Sequence, residues 1–360
     1  NNCRDVCMES TGKYWIPVFN ILEPTCNIVL AHPKYVKAIR GKKTDKRDAK
    51  WIADIFKHDL VSGSFIPPYD IRQLRDLMRY RYKLTNFTVG EKNRAQNCLT
   101  VSNVKLDDVF SDVFGKSSSA ILDRLSLCPN GDFDVAPLVS GKCKSPVEKI
   151  QAAVDGSICP EQLQKLAIIR SHINAIYECK SNLDSLICSI ADKFRAQVNL
   201  VSSVPGIQFF SAVSVISEIG VDMSVFPTAK HLCSWAGLVP QNNESAGKKK
   251  TTRISRAGAY LKPLLVQCAL TVCKSSKHPE IRNRYLMLKK RRGHKKAIIA
   301  ICRMLLTAIY TILKTATPYN PSLYRSQNSA PKSRTFTTIS AIAFLKSHGY
   351  VVVDCDGVMT

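Results

Sequence analysis

Leu166, Ile169, Ile173, Ile176, Lys180, Leu183, Ile187, Ile190 and Phe194 recur at alternating spacings of three and four. That spacing keeps the apolar side chains on one stripe of a long helix, the a/d seam of a coiled coil. A seam of this length must be covered by another helix, from the same chain or from a second copy. Lys180 stands at an a position, where a polar residue sets register or partner number. The expectation is a helical coiled-coil arm and a homo-oligomer, dimer or tetramer, joined through it. The alternative is a helix packed in an ordinary bundle.

A chain of 360 residues has room for two or three domains. Lys and Arg outnumber Asp and Glu by 52 to 28, a formal charge of +24, and the excess is clustered. This points to a polyanionic partner, nucleic acid before anionic membrane. The 14 Cys are scattered and include no Cys-x-x-Cys pair, as expected for reduced, mostly buried thiols in the cytoplasm. The apolar run from Ala297 to Leu313 carries Arg303 and falls short of a usual span, so it reads as a buried core helix with no membrane role.

At the N-terminal end, a strand leading into Met8-Glu9-Ser10-Thr11-Gly12, a helix around Tyr14 to Leu22 and a strand over Asn27 to Ala31 form an α/β alternation. Thr44 is a suitable N-cap for a helix through Trp51, Ile52, Ile55 and Phe56. On it, Asp45 and Asp48 continue the stripe of Ile52 and Ile55, pointing inward or toward a cleft. Buried carboxylates need a partner or a metal, and Glu9 supplies a third. The opposing reading is that Asp45 merely complements the helix N-terminus. Ile71 to Leu99 reads as a long basic helix with Leu74, Leu77, Met78 and Leu84 on its apolar side. Its Arg72, Arg75, Arg79, Arg81 and Lys83 either track a phosphate backbone or form a solvated face. Residues 106–160 suggest short helices and loops.

Further on, Val204-Pro205-Gly206-Ile207 has the shape of a helix-hairpin-helix turn, whose backbone amides can hold a DNA phosphate. Gln208 stands where a second Gly usually tightens such a turn. Ser245 offers a lone hydroxyl on a small-residue turn, followed by Lys248, Lys249, Lys250, Arg253 and Arg256. Lys289, Lys290, Arg291, Arg292, Lys295 and Lys296 place six fixed charges within eight residues and are assigned to phosphate contact. Leu261 to Val272 and Ala297 to Leu313 are the expected core helices of the C-terminal domain. Tyr350 to Val353 looks β-like, and no role follows for the tail.

The ordered set Met8–Gly12, Lys43–Ala49, Val204–Ile207, Ala236-Gly237-Leu238-Val239-Pro240, Glu244–Gly247 and Arg253–Gly258 resembles the IS110-type transposases over roughly residues 1–324. The resemblance implies an α/β plus α architecture. A RuvC-like (RNase H-like) domain would cover 1–105, a helical linker and coiled coil 106–199, an all-α transposase domain with the helix-hairpin-helix 200–324, and a tail 325–360. It also implies an Asp-Glu-Asp-Asp tetrad for Mg²⁺, with Glu9, Asp45 and Asp48 matching its last three members. Ser245 matches the serine that attacks DNA and becomes joined to it. In the family the two parts meet across subunits, and a bridge RNA guides target choice. A bacterial, nucleoid-associated protein is the corresponding expectation.

The family's first Asp lies on a strand some tens of residues before the Glu, whereas eight residues precede Glu9 here. Asp5 is too close to Glu9 to replace it. The expectation is therefore an N-terminally short chain with three carboxylates of four. Two rival readings stand beside the serine recombinase: a metal-dependent junction nuclease in which water attacks, and a catalytically dead nucleic-acid-binding remnant.

Overall fold

The computed structural model describes residues 3–36, 44–141, 143–240, 243–245, 248–251, 253–322 and 338–353. The chain divides into two compact units, Asn1–Arg195 with Val213–Val225, and Ala196–Ala212 with Phe226–Thr360.

The first unit opens with a βαβ element: β1 (Asp5–Glu9), α1 (Trp15–Leu22) and β2 (Asn27–Ala31). The strands pair in parallel, with Cys7 opposite Val29 and Glu9 opposite Ala31. Gly63 extends the sheet through a bridge to Ala31. After the short α2 (Pro33–Val36), α3 (Asp45–Lys57) packs against β1. Thr44 caps α3 as its sequence predicts, its Oγ1 accepting from the Arg47 amide at 3.4 Å. Ala31, Val36 and Ile55 form a small core here, with Cys7, Trp51, Ile52 and Val61 against it.

Two long helices follow, α4 (Tyr69–Val101) and, after an intervening segment, α8 (Pro160–Ala191), of 33 and 32 residues. Each is about 50 Å long at 1.5 Å per residue. They pair antiparallel. Asp70 meets Lys193, Arg81 meets Asp184 and Glu91 meets His172. The heptad seam of α8 is buried in this pairing, from Leu166 at 1% exposure to Ile187 at 0%. The coiled coil thus lies within one chain, and the seam no longer carries the expectation of an oligomer. Lys180 is half-buried near Arg81 and Asp184, and burial with the Arg81 charge lowers its pKa. The seam also ends early, because Asp192–Phe194 turns into a 3-10 helix after Ala191.

Between the long helices, α5 (Leu106–Val109), α6 (Lys116–Leu127) and α7 (Val147–Ala153) form a compact cap. Its core of Val104, Ile121, Leu122, Leu125, Val135, Ile150 and Val154 continues onto Leu99 and Leu166. This segment, featureless by periodicity, owes its order to long-range burial.

The basic face of α4 is an internal brace. Arg72 is held by Glu23 at 2.6 Å and stacks over Phe19. Arg75 donates to the carbonyls of Ser217 and Glu218 at 2.9 and 2.7 Å. Arg79 forks onto the Glu218 carboxylate at 2.8 and 2.9 Å, and Arg81 forks onto Asp184. The phosphate-tracking reading of these four arginines is therefore corrected: each is spent on a remote partner within its own unit. Burial pushes Arg75 down to about 10, still charged at neutral pH. Glu218 is 6% exposed. Its removal unpairs Arg79 and takes the counter-charge from beside Arg75, so Glu218→Gln is expected to cost about 1–3 kcal/mol, read from urea unfolding.

The second unit contains α9 (Arg195–Ser202), the start of α10 (Phe209–Ile219), α11 (Ala229–Trp235), α12 (Leu261–Lys274), α13 (Pro279–Arg292) and α14 (His294–Thr315). α14 packs on α11, α12 and α13. It is the helix long and apolar enough to cross a membrane among the described residues, yet Ile301, Leu305, Leu306 and Ile309 are buried inside the unit. Cys233, Cys268, Cys273 and Cys302 are buried beside them, and burial pushes Cys302 up to about 12. The expectation of an all-α domain is corrected by a β-hairpin, β3 (Asn243–Ser245) with β4 (Lys248–Thr251). Its strands are short and polar, so no period-2 apolar signal announces them. In the tail, α15 (Thr338–Ser347) precedes Tyr350, Val351 and Val353, which are exposed.

Candidate functional site

Glu9 ends β1, two residues after Cys7, and so shares its face of the strand. Cys7 packs against the same Ala31–Val36–Ile55 core as Trp51 and Ile52 of α3, and α3 contacts β1, so this face of β1 is the one α3 covers. Asp48 lies one turn before Ile52 on the same helical stripe. The Glu9 strand face and the Asp48 helix face therefore meet. Glu9 and Asp48 are half-buried, and Asp45 is exposed at the end of the stripe. Of the two aspartates, Asp48 is thus the one drawn partly into the packing, while Asp45 stands in solvent at the first turn of α3. The Thr11 hydroxyl donates to Glu9 Oε1 at 2.7 Å and orients it. Thr11 was not singled out in the sequence, although a hydroxyl two residues after a strand-end carboxylate is a readable signal.

Hard carboxylate oxygens are the donors a divalent cation such as Mg²⁺ takes. Among the described residues, however, no three His, Cys, Asp or Glu side chains converge. The donor chemistry fits the metal, and the number of converging groups falls short of a closed set.

Ser245 ends β3, in register with Lys248, while Asn243 pairs with Thr251. Ala246 and Gly247, the small-residue turn of the sequence reading, lie outside the described residues. A bridge between Pro240 and Ile254 extends the hairpin toward its base. There two glycines interlock. Gly258 has φ +69°, and a Cβ on it would lie 2.4 Å from the Ala236 carbonyl oxygen. Gly237 has φ +67°, and its Cβ would meet the Ala257 carbonyl oxygen at 2.7 Å. Lys262 Nζ closes the same corner on the Ser255 carbonyl at 2.6 Å. The Ala236-Gly237 and Ala257-Gly258 motifs are therefore a backbone clamp that fixes where the serine hairpin leaves the helical body. Arg253 and Arg256 are exposed on the strand side of this clamp.

Gly206, in the turn between α9 and α10, has φ +81°. A Cβ there would lie 2.7 Å from the Cys268 carbonyl of α12. Val204, Pro205 and Ile207 are buried. The turn is seated on α12 and borders a cleft of about 430 Å³ lined by Gln208, Ser211, Gln267, Thr271, Lys277 and His278.

The third basic element is a helical corner. Lys289, Lys290, Arg291 and Arg292 end α13, Gly293 turns at φ +82°, and His294, Lys295 and Lys296 begin α14. The Tyr285 hydroxyl meets His294 Nδ1 at 2.8 Å across the corner and Lys289 lies over the Tyr285 ring. All six cations are exposed, and among the described residues none forms an ion pair. The contrast with α4 is physical. Cations paired inside the fold brace it, while unpaired exposed ones hold counterions that a polyanion can displace.

The first unit thus carries the half-buried Glu9 and Asp48, and the second carries the glycine-clamped Ser245 hairpin and a corner of exposed cations. Residues 198–286 match the transposase IS116/IS110/IS902 family, and residues 2–103 match the family's DEDD-type transposase domain. The chain belongs to the IS110 family of transposases. It is 27% identical over 157 residues to the transposase for insertion sequence element IS1111A of Coxiella burnetii, covering 41% of this chain and 43% of that protein. It is 30% identical over 160 residues to the pilin gene-inverting protein of Moraxella lacunata, covering 43% and 48%. An uncharacterized 42 kDa protein of insertion element IS900 from Mycobacterium paratuberculosis is 24% identical over 178 residues, covering 48% and 44%. The chain thus spans less than half the length of each of these relatives.

Proposed function

We propose that this protein is a DNA recombinase of an insertion sequence, in which the Ser245 hydroxyl attacks a phosphodiester. The observation that carries the reading is the family match over both units together with the glycine clamp that fixes the Ser245 hairpin. In the proposed step, the serine oxygen forms a bond to phosphorus and gives up its proton. The bond from phosphorus to a deoxyribose oxygen breaks, and that oxygen leaves as a hydroxyl after taking a proton. The phosphoserine link conserves the bond energy, so the reverse attack by a new strand end rejoins DNA without ATP. Lys248–Lys250 and Arg253 stabilise the charge that develops on the phosphoryl oxygens.

Glu9, Asp48 and Asp45 are the residues proposed to hold Mg²⁺, in a RuvC-like (RNase H-like) domain over 1–105, with phosphate oxygens and further donors completing the set. These carboxylates would hold the ion, and the chemistry it would supply is positive charge for a phosphoryl group. Residues 200–324 are proposed as the transposase domain, with 106–199 as its helical linker and 325–360 as a tail. The turn at Gly206, seated on α12, is proposed as a helix-hairpin-helix DNA contact, with Lys277 and His278 lining the adjoining cleft. A guide RNA, a homo-oligomer and a cytoplasmic, nucleoid-associated setting remain parts of the proposal and rest on the family alone.

The proposal is tested by trapping a covalent protein–DNA adduct that survives denaturation and depends on Ser245. A nuclease in which water attacks forms none, and a dead remnant cleaves nothing. The charge assignment has its own test. Replacing Lys289, Lys290, Arg291 and Arg292 by Gln should weaken binding and flatten the dependence of log affinity on log salt by about 0.9 per lost phosphate contact. Replacing Arg79 and Arg81 on α4 should lower stability and leave that slope unchanged; the opposite pattern would reverse the assignment.

A further inference from the structure

α13 carries apolar residues on both of its sides. Ile281 is buried, and Tyr285 and Leu288 are half-buried toward the unit. Leu286 and Met287 face outward at 46% and 68% exposure. At 100° per residue, Leu286, Lys290, Asn283 and Met287 form the middle of the exposed face. Arg282 borders it on one side, and Arg284 and Arg291 border it on the other. All seven are exposed. A helix that needed only solubility would carry charge along the centre of such a face. Here Lys290 alone does so; the rest of the centre is an amide and two flexible apolar side chains, flanked by exposed arginines, with Glu280, which meets His278, at the N-terminal edge.

We propose that α13 is a DNA-reading helix that lies in the major groove of a B-form duplex. The inference rests on the recombinase reading and extends it from charge to groove contact. An α-helix of 10–12 Å diameter fits the major groove, about 12 Å wide. The deep, narrow groove of A-form RNA does not admit it. In that seat Arg282, Arg284 and Arg291 reach the phosphates on either side. Asn283 has the donor and acceptor pair that matches an adenine edge, and Leu286 and Met287 supply apolar contact to thymine methyl groups. The Tyr285–His294 contact and the Gly293 turn fix α13 against α14, leaving its far face in solvent. Like charge along the face disfavours a second copy of this chain as its occupant.

The experiment measures binding of the full chain to a mixed-sequence DNA duplex and to an RNA duplex of the same sequence, each across a salt series. Leu286→Ala with Met287→Ala, and separately Asn283→Ala, should weaken DNA binding about tenfold. The salt slope should stay unchanged, and so should RNA binding. Guanine N7 protection from dimethyl sulfate, a major-groove signature, should appear with the parent chain and fade with these variants. Exposed positions leave the fold intact, which circular dichroism checks. Unchanged DNA affinity, or an equal loss on both duplexes, overturns the inference. If the four-charge variant at Lys289–Arg292 weakens binding while the apolar variants do not, only the groove contact fails. If the four-charge variant also binds normally, the assignment of the basic corner fails with it.

Discussion

A Ser245→Ala chain is expected to lose at least about 10³-fold in strand joining and to bind duplex DNA as tightly as the parent. The hydroxyl is the bond-forming group in the proposed step, so no neighbouring group replaces it. Binding is assigned in the proposal to a different set of residues, the exposed cations of the α13–α14 corner, which the substitution leaves in place. The same variant should yield no denaturation-resistant adduct with a nicked or suicide substrate. Undiminished joining by the alanine variant would sink the serine reading outright. Residual cleavage without adduct, dependent on Glu9 and Asp48, would leave the water-attack nuclease as the better account.

Gly258→Ala is expected to be the most damaging single-methyl change in the second unit. Its φ of +69° is one that a residue with a side chain adopts at a cost of about 1–2 kcal/mol. The added Cβ would also fall 2.4 Å from the Ala236 carbonyl oxygen, a backbone atom that moves only with the clamp. Overpacking of this kind adds about 1–3 kcal/mol, so a total of about 2–5 kcal/mol should appear in urea unfolding. Strand joining should fall further than stability alone explains, because the clamp fixes the base of the Ser245 hairpin. Duplex binding through the α13–α14 corner should be nearly spared under folding conditions. Gly141→Ala is the control. It has ordinary backbone and no heavy atom within 4 Å of a Cβ, and should change stability by less than about 0.5 kcal/mol. If Gly258→Ala unfolds no more readily than Gly141→Ala, the clamp is not a structural device.

Much of the local structure was legible in the residues. The heptad spacing defined α8, Thr44 capped α3 where its side chain predicted, and the strand–helix–strand alternation produced a parallel pair. Each rests on contacts between near neighbours along the chain. The candidate site was legible as a list of motifs, and its working parts were not. Nothing local distinguishes Gly258 as a clamp from any other turn glycine, because the atom it approaches is on Ala236. Thr11 acquires a role only through its bond to Glu9. α13 lacks a single apolar stripe, so periodicity passed over it, and the same irregularity became informative once its two sides could be told apart.

By itself the sequence determined that this chain forms long helices, an α/β beginning and a strongly basic surface, since propensity, period and charge are properties of residues and their immediate neighbours. Only the tertiary structure decided which charges are free. Arg72, Arg75, Arg79 and Arg81 look like a nucleic-acid stripe in sequence and are consumed by Glu23, Glu218 and Asp184 in the fold. Lys289–Arg292, Lys295 and Lys296 look no different in sequence and remain in solvent. The physical reason is that a cation's availability depends on what the fold brings within about 4 Å of it, and those partners lie from tens of residues to more than a hundred away. The α8 seam obeys the same logic: its spacing required a partner helix, and the fold chose α4 of the same chain.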